Sequence, residues 1–376
     1  MNHLRGIGGE ISGAFADLGT FLPIVIGVLS LGWIDPTGLL VGFGVFALAV
    51  ALIYRRPVPV QPMKAVAAIV LAGPFSPGAV AASGLLLGIV VLLLGLSGWI
   101  DRLARKLPKN LLQGIQVGVG LILAWSGLKL MQEQWMVGVV LVAGLLLIER
   151  TWLKGYAVLI LIAGSVGVTL MMGGEPPELN FGLFLPQMVS LHFEDFWQAS
   201  LSVLLPQLVL TLTNAVLVTS IIAAELFPDD QARITPRRLA LSSGGLNLLL
   251  APFGAFPMCH GAGGLVVQHR FGARTGLAPA IFGASCLSLG LFVGPDALKL
   301  LSLLPVSTVG ALLVVAGIHM SLTRRVLRTR NASLAVIVVT ALASLLFNVA
   351  LGLLIGLGAE WVRRYFEGRS RIVDSD

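Results

Sequence analysis

Apolar residues in this chain come in long blocks, separated by short polar punctuation, rather than in the short periods of an amphipathic helix. A bilayer-crossing helix needs roughly 20 mostly apolar residues. Runs that fit this reading are 11–31, 37–54, 78–98, 110–130, 135–149, 155–172, 197–224, 237–251, 276–294, 301–319, 332–347 and 349–366. Two further segments, 62–73 and 257–267, are too short to span and are rich in Gly and Pro. Counted as half-helices, they bring the prediction to fourteen membrane-crossing elements in an all-α polytopic protein.

The charges fit that count. With the N-terminus inside, Arg55/Arg56, Arg102–Lys109, Arg150/Lys154, Arg233–Arg238, Arg270/Arg274, Arg324–Arg330 and Arg363–Arg371 all fall on one side. Asp35, Glu133, Glu175, Glu178, Glu194, Asp195 and Asp296 fall on the other, with Lys129 and Lys299 as its only basic residues. Lys64 lies within the membrane. The positive-inside rule makes the basic side cytoplasmic and places both termini there. If either short segment failed to cross, every later basic cluster would change sides.

Composition agrees with the pattern. Of 376 residues, 56% are hydrophobic and 11% charged, against about 25% charged in soluble domains. A soluble core, a disordered chain and a disulfide scaffold are excluded. The net charge of +7 belongs to topology clusters and not to a nucleic-acid surface. Cys259 and Cys286 give no disulfide framework and no metal-ligand spacing, so neither a metal nor a cofactor is expected. Met1–Glu10 has no signal-peptide pattern.

Two stretches echo each other: Pro59-Val60-Gln61-Pro62-Met63-Lys64-Ala65-Val66-Ala67-Ala68 and Ala255-Phe256-Pro257-Met258-Cys259-His260-Gly261-Ala262-Gly263-Gly264. Each has Pro-Met, a polar residue, then small residues, and each follows a helix bearing a mid-membrane polar residue, Asp17 or Asn214. They fall on elements 3 and 10. Seven is odd, so the second half is inverted relative to the first. Short, Gly/Pro-interrupted segments at matching positions of two halves point to a transporter site.

A half-helix ending in mid-membrane exposes unpaired N–H groups and about half a positive charge at its N-terminus. Pro62 and Pro257 suit the first helical position. Two such N-termini facing each other form an anion site, and Lys64 raises the sum to about +2, which suits a small dianion. The backbone N–H groups of Met63 to Ala65 and of Cys259 to Gly261 would bind it, with hydrogen bonds from Gln61, Thr20, Asn214 and His260. Lys64 has the alternative of snorkelling to the interface, and His260 that of satisfying buried backbone. Asp17, the only acid deep in an apolar helix, either neutralises Lys64 in the empty state, carries a compensating proton, or packs against the neighbouring half-helix. Gln207, Thr211 and Asn214 share one face of element 8 at i, i+4, i+7; helix packing is the bland explanation, but the stripe falls where the symmetry mate of helix 1 should line the cavity, which makes Thr211 a candidate ligand beside Asn214.

Phe15-Ala16-Asp17-Leu18-Gly19-Thr20-Phe21-Leu22-Pro23, the Pro57–Ala65 stretch, and Pro257–Gly264 followed by Arg270-Phe271-Gly272-Ala273-Arg274-Thr275-Gly276 resemble the molybdate transporter family, a distant branch of the SulP sulfate permeases. The resemblance implies the seven-plus-seven inverted repeat that SulP transporters share with uracil permease. Helices 1–4 (1–100) and 8–11 (196–296) would form a core, and helices 5–7 (101–195) and 12–14 (297–376) a gate, with substrate between half-helices 3 and 10. It further implies elevator motion of the core and a homodimer. Two departures stand out: no regulatory STAS domain follows the last helix, and helix 8 offers Gln207, Thr211 and Asn214 where proton-coupled relatives often carry an acid. That leaves Asp17 for coupling and Gln207 for organising the site.

The expected function is secondary active transport of molybdate, with tungstate competing, in a bacterial inner membrane. Alternatives are a sulfate or general small-oxyanion permease, or an anion channel on the same fold. No nucleophile–base pair or phosphate loop suggests an enzyme.

Overall fold

The structure is a computed structural model that describes residues 2–72, 75–106, 108–173, 176–322, 331–347 and 349–373. Glu175 and the Arg324–Arg330 cluster lie outside the described residues. Helices dominate: α1 (Asn2–Phe15), α2 (Leu18–Leu29), α3 (Pro36–Tyr54), α4 (Lys64–Ala72), α5 (Pro77–Ser97), α6 (Trp99–Lys106), α7 (Lys109–Met131), α8 (Trp135–Ile148) and α9 (Ala157–Met171). They continue with α10 (Phe193–Ala199), α11 (Leu205–Leu210), α12 (Thr219–Leu226), α13 (Pro236–Leu250), α14 (Ala262–Arg270), α15 (Leu277–Phe292), α16 (Ala297–Leu301), α17 (Val306–Ser321), α18 (Asn331–Leu346) and α19 (Val349–Val373).

Five helical stretches among the described residues are long and apolar enough to cross a membrane by themselves. One of them, Gln113–Ile148, turns back on itself at Gln132–Gln134. In a straight helix Gly138 would stand about 10 Å from Met131, yet a Cβ on Gly138 would lie 2.8 Å from the Cβ of Met131. Large apolar side chains on α7, α8 and α18 stay exposed, among them Trp125, Val140, Leu147 and Leu346. Such faces suit lipid rather than water.

Hydrogen bonds sort the turns into two ends. At one end Arg56 pairs with Asp230 at 2.8 Å and donates to the Arg274 carbonyl, while the Arg237 N–H donates to Asp101. Glu10 accepts from the Arg274 and Thr275 N–H groups, and Arg270 pairs with Glu149. The other end is acidic. There Asn180 donates to Asp296, and Ser76 donates to Asp195 at 2.6 Å. The segment between α9 and α10 lies across this end: the N–H groups of Gly182, Phe184 and Val189 donate to the carbonyls of Phe292, Leu291 and Pro252.

Helix pairs recur in matching sets: α3 packs on α15 as α13 packs on α5, α1 on α15 as α10 on α5, and α7 on α17. The first two pairings close through glycines. A Cβ on Gly44 or on Gly283 would lie 2.9 Å from the other's carbonyl oxygen. Gly88 and Gly244 oppose each other at 3.0 and 2.8 Å in the same sense.

Three local expectations are corrected. Helix 1 is not continuous: Ala16 and Asp17 break it into α1 and α2, with Asp17 at the N-cap of α2. Pro62 and Pro257 do not open the half-helices. Pro62 lies in strand β1 (Gln61–Pro62), which pairs antiparallel with β2 (Met258–Cys259), matching Gln61 to Cys259 and Pro62 to Met258. The helices start later, at Lys64 and Ala262. Element 8 is regular α-helix only in part, since Ser200–Leu204 and Thr211–Val218 are π-helical, a geometry frequent at functional sites.

Asn247 on α13 clamps β2. Its amide oxygen accepts from the Met258 N–H at 2.9 Å and its amide nitrogen donates to the Met258 carbonyl at 2.6 Å. Asn247→Ala would leave both backbone groups buried and unpaired, at about 1–3 kcal/mol each. A fall of several degrees in the thermal unfolding midpoint of the detergent-solubilised protein is the expected outcome.

Candidate anion site between two helix N-termini

The pairing of β1 with β2 brings the starts of α4 and α14 together. The Met63 N–H extends the pairing by donating to the Pro257 carbonyl at 2.9 Å. This register is centred where Pro62-Met63 and Pro257-Met258 exchange places, so the two echoing stretches meet each other in space. The first-turn N–H groups of each helix have no intrahelical acceptor.

Each helix start is faced by a polar side chain from a long helix. At α14, Asp17 and Gln61 abut Gly264, and Gln61 abuts Gly261. The Gln61 amide nitrogen donates to the Asp17 carboxylate at 2.6 Å and to Thr20 Oγ1 at 3.0 Å, and the Thr20 hydroxyl donates to the other Asp17 oxygen. The carboxylate therefore sits against the positive end of α14. At α4, the Ala65 N–H donates to Gln207 Oε1 at 2.9 Å, and Gln207 Nε2 donates to Thr211 Oγ1 at 3.0 Å. Helix 1 thus serves the start of α14, and helix 8 serves the start of α4.

Glycine at 264 is required by this packing. A Cβ there would overlap the Asp17 carboxylate and lie 2.8 Å from both Gln61 Nε2 and Pro59 Cβ. At 261 the three nearest atoms all belong to the Gln61 amide group.

Lys64 is exposed at the first position of α4, and its ammonium is an electrostatic neighbour of Asp17 and Cys259. Gln61, Met63, Thr20, Asp17, Cys259, Gly261, Gln207 and Thr211 are buried, and Ala65 is half-buried. Lys64 is therefore the accessible cation of the cluster.

Several expected ligands are differently engaged. The N–H groups of Met63 and Ala65 are not open donors, since Pro257 and Gln207 accept from them. His260 is fully buried behind the strands, with its ring edge-on to Phe46 and Tyr54. Its Nδ1 lies 3.1 Å from the Pro59 carbonyl, which can only accept, so Nε2 accepts from the Ser242 hydroxyl at 2.8 Å. Gln207 and Thr211 are paired with each other, and Asn214 lies in the π-helical stretch Thr211–Val218. Its Oδ1 is buried without a partner among the described residues. Cys259 and Cys286 are free thiols. The anchors Ser242, Tyr54 and Asn247 were not singled out in the sequence, although Asn247 is the lone amide of α13. Among the described residues, no cluster of His, Cys, Asp or Glu could hold a metal.

The model of a family described as "Molybdate transporter of MFS superfamily" matches residues 9–123 and 199–320, more than half of the chain. The chain belongs to the molybdate transporter family. Both matched blocks include an anion-site half, from helix 1 through α4 and from helix 8 through α14. Molybdate transporter 2 of Arabidopsis thaliana is 28% identical over 91% of this chain and 84% of its own. Molybdate transporter 1 of Chlamydomonas reinhardtii is 28% identical over 93% and 90%. The transmembrane domain of the cyanobacterial bicarbonate transporter BicA is similar in structure, with a TM-score of 0.55 and 15% identity over 93% of this chain and 98% of that one. Murine Solute Carrier 26 family member A9, an anion transporter captured inward-facing, gives 0.62 and 14% over 96% and 68%. The family member described here therefore has the SLC26/SulP fold of a membrane transporter.

Proposed function

We propose that this chain is a secondary active transporter of molybdate, which tungstate competes for, with the oxyanion held between the starts of α4 and α14. The observation that carries this reading is the meeting of two helix N-termini across paired strands beside the exposed Lys64. Two partial positive ends and one ammonium favour a small dianion and repel a cation. The molybdate named in the relatives supplies the choice among dianions. In this account Lys64 and the first-turn N–H groups of α14 bind the oxyanion, Gln61 and Thr20 orient it, Gln207 organises the start of α4, and His260 and Asn247 hold the strands.

Asp17 gives the site its coupling. Its carboxylate occupies the positive end of α14, where an incoming dianion meets like charge. Protonation of Asp17 removes that repulsion, so oxyanion and proton enter together. Asp17→Asn is expected to sustain molybdate exchange while losing its response to an imposed pH gradient. Asp17→Asn vesicles that still accelerate uptake on acidification would refute this assignment.

The architecture we propose is fourteen spans in a seven-plus-seven inverted repeat. The strand register, the exchanged glycine pairs and the reciprocal contacts of Asp17 and Gln207 all favour it. Helices 1–4 and 8–11 form a core that moves as an elevator against helices 5–7 and 12–14 in a homodimer. The basic end and both termini face the cytoplasm, in the inner membrane of a bacterium.

The test is uptake of labelled molybdate by the reconstituted protein with unlabelled tungstate or sulfate as competitor. Tungstate competing at far lower concentration than sulfate supports a molybdate carrier. Equal competition by sulfate moves the function to a general oxyanion permease, and non-saturable flux to an anion channel.

A further inference from the structure

A second basic concavity lies at the end of the molecule that carries the Arg clusters, away from the strand pair. It encloses about 690 Å³ between the α8–α9 connection and the end of α14 with the turn that follows. Arg150, Arg270 and Arg274 line it, with Glu149 as the one acidic side chain among the described lining residues. Glu149 Oε2 meets Arg270 at 3.1 Å and His319 Nε2 at 3.2 Å, while its Oε1 is buried without a partner among the described residues. Arg150 is exposed and has no acidic partner among the described residues. Arg274 uses one guanidinium nitrogen on the carbonyls of His269 and Ala273. Glu10 lies behind Arg274 as a second carboxylate, and against these two acids the three arginines still leave the concavity a net positive charge among the described residues.

Its rim is built for the membrane interface. Trp152 lines the concavity and is 72% exposed, and Leu147, one turn back on α8, is 62% exposed. Exposed indoles sit at head-group depth, with apolar side chains continuing into the hydrocarbon. Basic pockets between membrane helices on the cytoplasmic side bind anionic head groups, and Arg pairs with phosphate through parallel hydrogen bonds.

We propose that this concavity binds the phosphate head group of an anionic phospholipid, held by Arg150 from one side and by Arg270 and Arg274 from the other. The acyl chains run down the exposed face at Leu147. Binding itself does not depend on the substrate assignment. Its consequence does rest on that reading: the two walls belong to the proposed gate and core, so a bound head group ties them together.

The test is retention of phosphatidylglycerol by the full-length protein, measured by native mass spectrometry after release from nanodiscs of mixed phosphatidylglycerol and phosphatidylcholine. The expected result is selective retention of phosphatidylglycerol that Arg150→Gln weakens about fivefold, the scale of one basic contact near a membrane surface. Trp152→Ala should weaken it as well, while Arg102→Gln, outside the concavity, should leave it unchanged. Equal retention by Arg150→Gln and the parent protein would overturn the proposal. Displacement of the lipid by millimolar inorganic phosphate would also overturn it, in favour of a soluble-anion site. Both outcomes are read without any transport assay, so they stand apart from failure of the molybdate reading.

Discussion

Lys64→Ala should raise the KM for molybdate about 10- to 100-fold in reconstituted vesicles, the effect of removing a charge-assisted hydrogen bond worth about 1.5–3 kcal/mol. Lys64 is the accessible cation beside the two helix starts, and the strands and helices around it are held by other residues. The thermal midpoint of the variant should therefore stay close to the parent value. Lys64→Arg keeps the charge and should recover much of the binding, with altered geometry because a planar fork replaces a point charge. An unchanged KM in Lys64→Ala would place the oxyanion elsewhere and leave Lys64 as a snorkelling interface residue.

The second large effect is expected at Gly264. A methyl group there meets Asp17, Gln61 and Pro59 together, and Pro59 belongs to backbone fixed by the His260 ring. Overpacking of this kind costs about 1–3 kcal/mol, and here the only side chains able to yield are the ones assigned to the site. Gly264→Ala should lower molybdate uptake at least tenfold and abolish its response to a pH gradient. Gly261→Ala offers an internal control, because the three atoms nearest to its Cβ all belong to the Gln61 amide group. Adding Gln61→Ala should relieve the strain of Gly261→Ala but not that of Gly264→Ala, and a double-mutant cycle on melting midpoints reads this difference. Equal relief in both backgrounds would contradict the packing described for α14.

Much of the fold was legible because a bilayer imposes so strong a rule: apolar blocks had to be helices, and basic clusters had to share an end. The turns bearing Arg56, Asp230, Arg270 and Arg274 do meet at one end, and those bearing Asp195 and Asp296 lie at the other. What the chain does not advertise is where a helix stops inside an apolar run. Phe15–Pro23 reads as continuous helix, and at the break the Asp17 carboxylate accepts from Thr20 within the same stretch and from Gln61, which comes from a segment 44 residues on.

The prolines misled for a related reason. Pro is tolerated at a first helical position and equally in an edge strand. Only the partner stretch in the other half of the chain selects the strand for Pro62. His260 was a polar residue at the right place with the wrong orientation, since its ring nitrogens are both taken by Pro59 and Ser242. The π-helical stretch at Thr211–Val218 has no short sequence signature, so the α-helical spacing that drew a stripe through Gln207, Thr211 and Asn214 does not hold along the whole of element 8. The polar composition of the site could be read from sequence, whereas its pairing required the two halves to be brought together.

The most direct test of the account is an anomalous difference map at the molybdenum absorption edge, from crystals of the full chain grown with molybdate. The account predicts one strong peak between the starts of α4 and α14, within hydrogen-bond reach of Lys64 and of the N–H groups of the first turn of α14. A peak confined to the basic concavity around Arg150, or one anywhere else away from the paired strands, would contradict it.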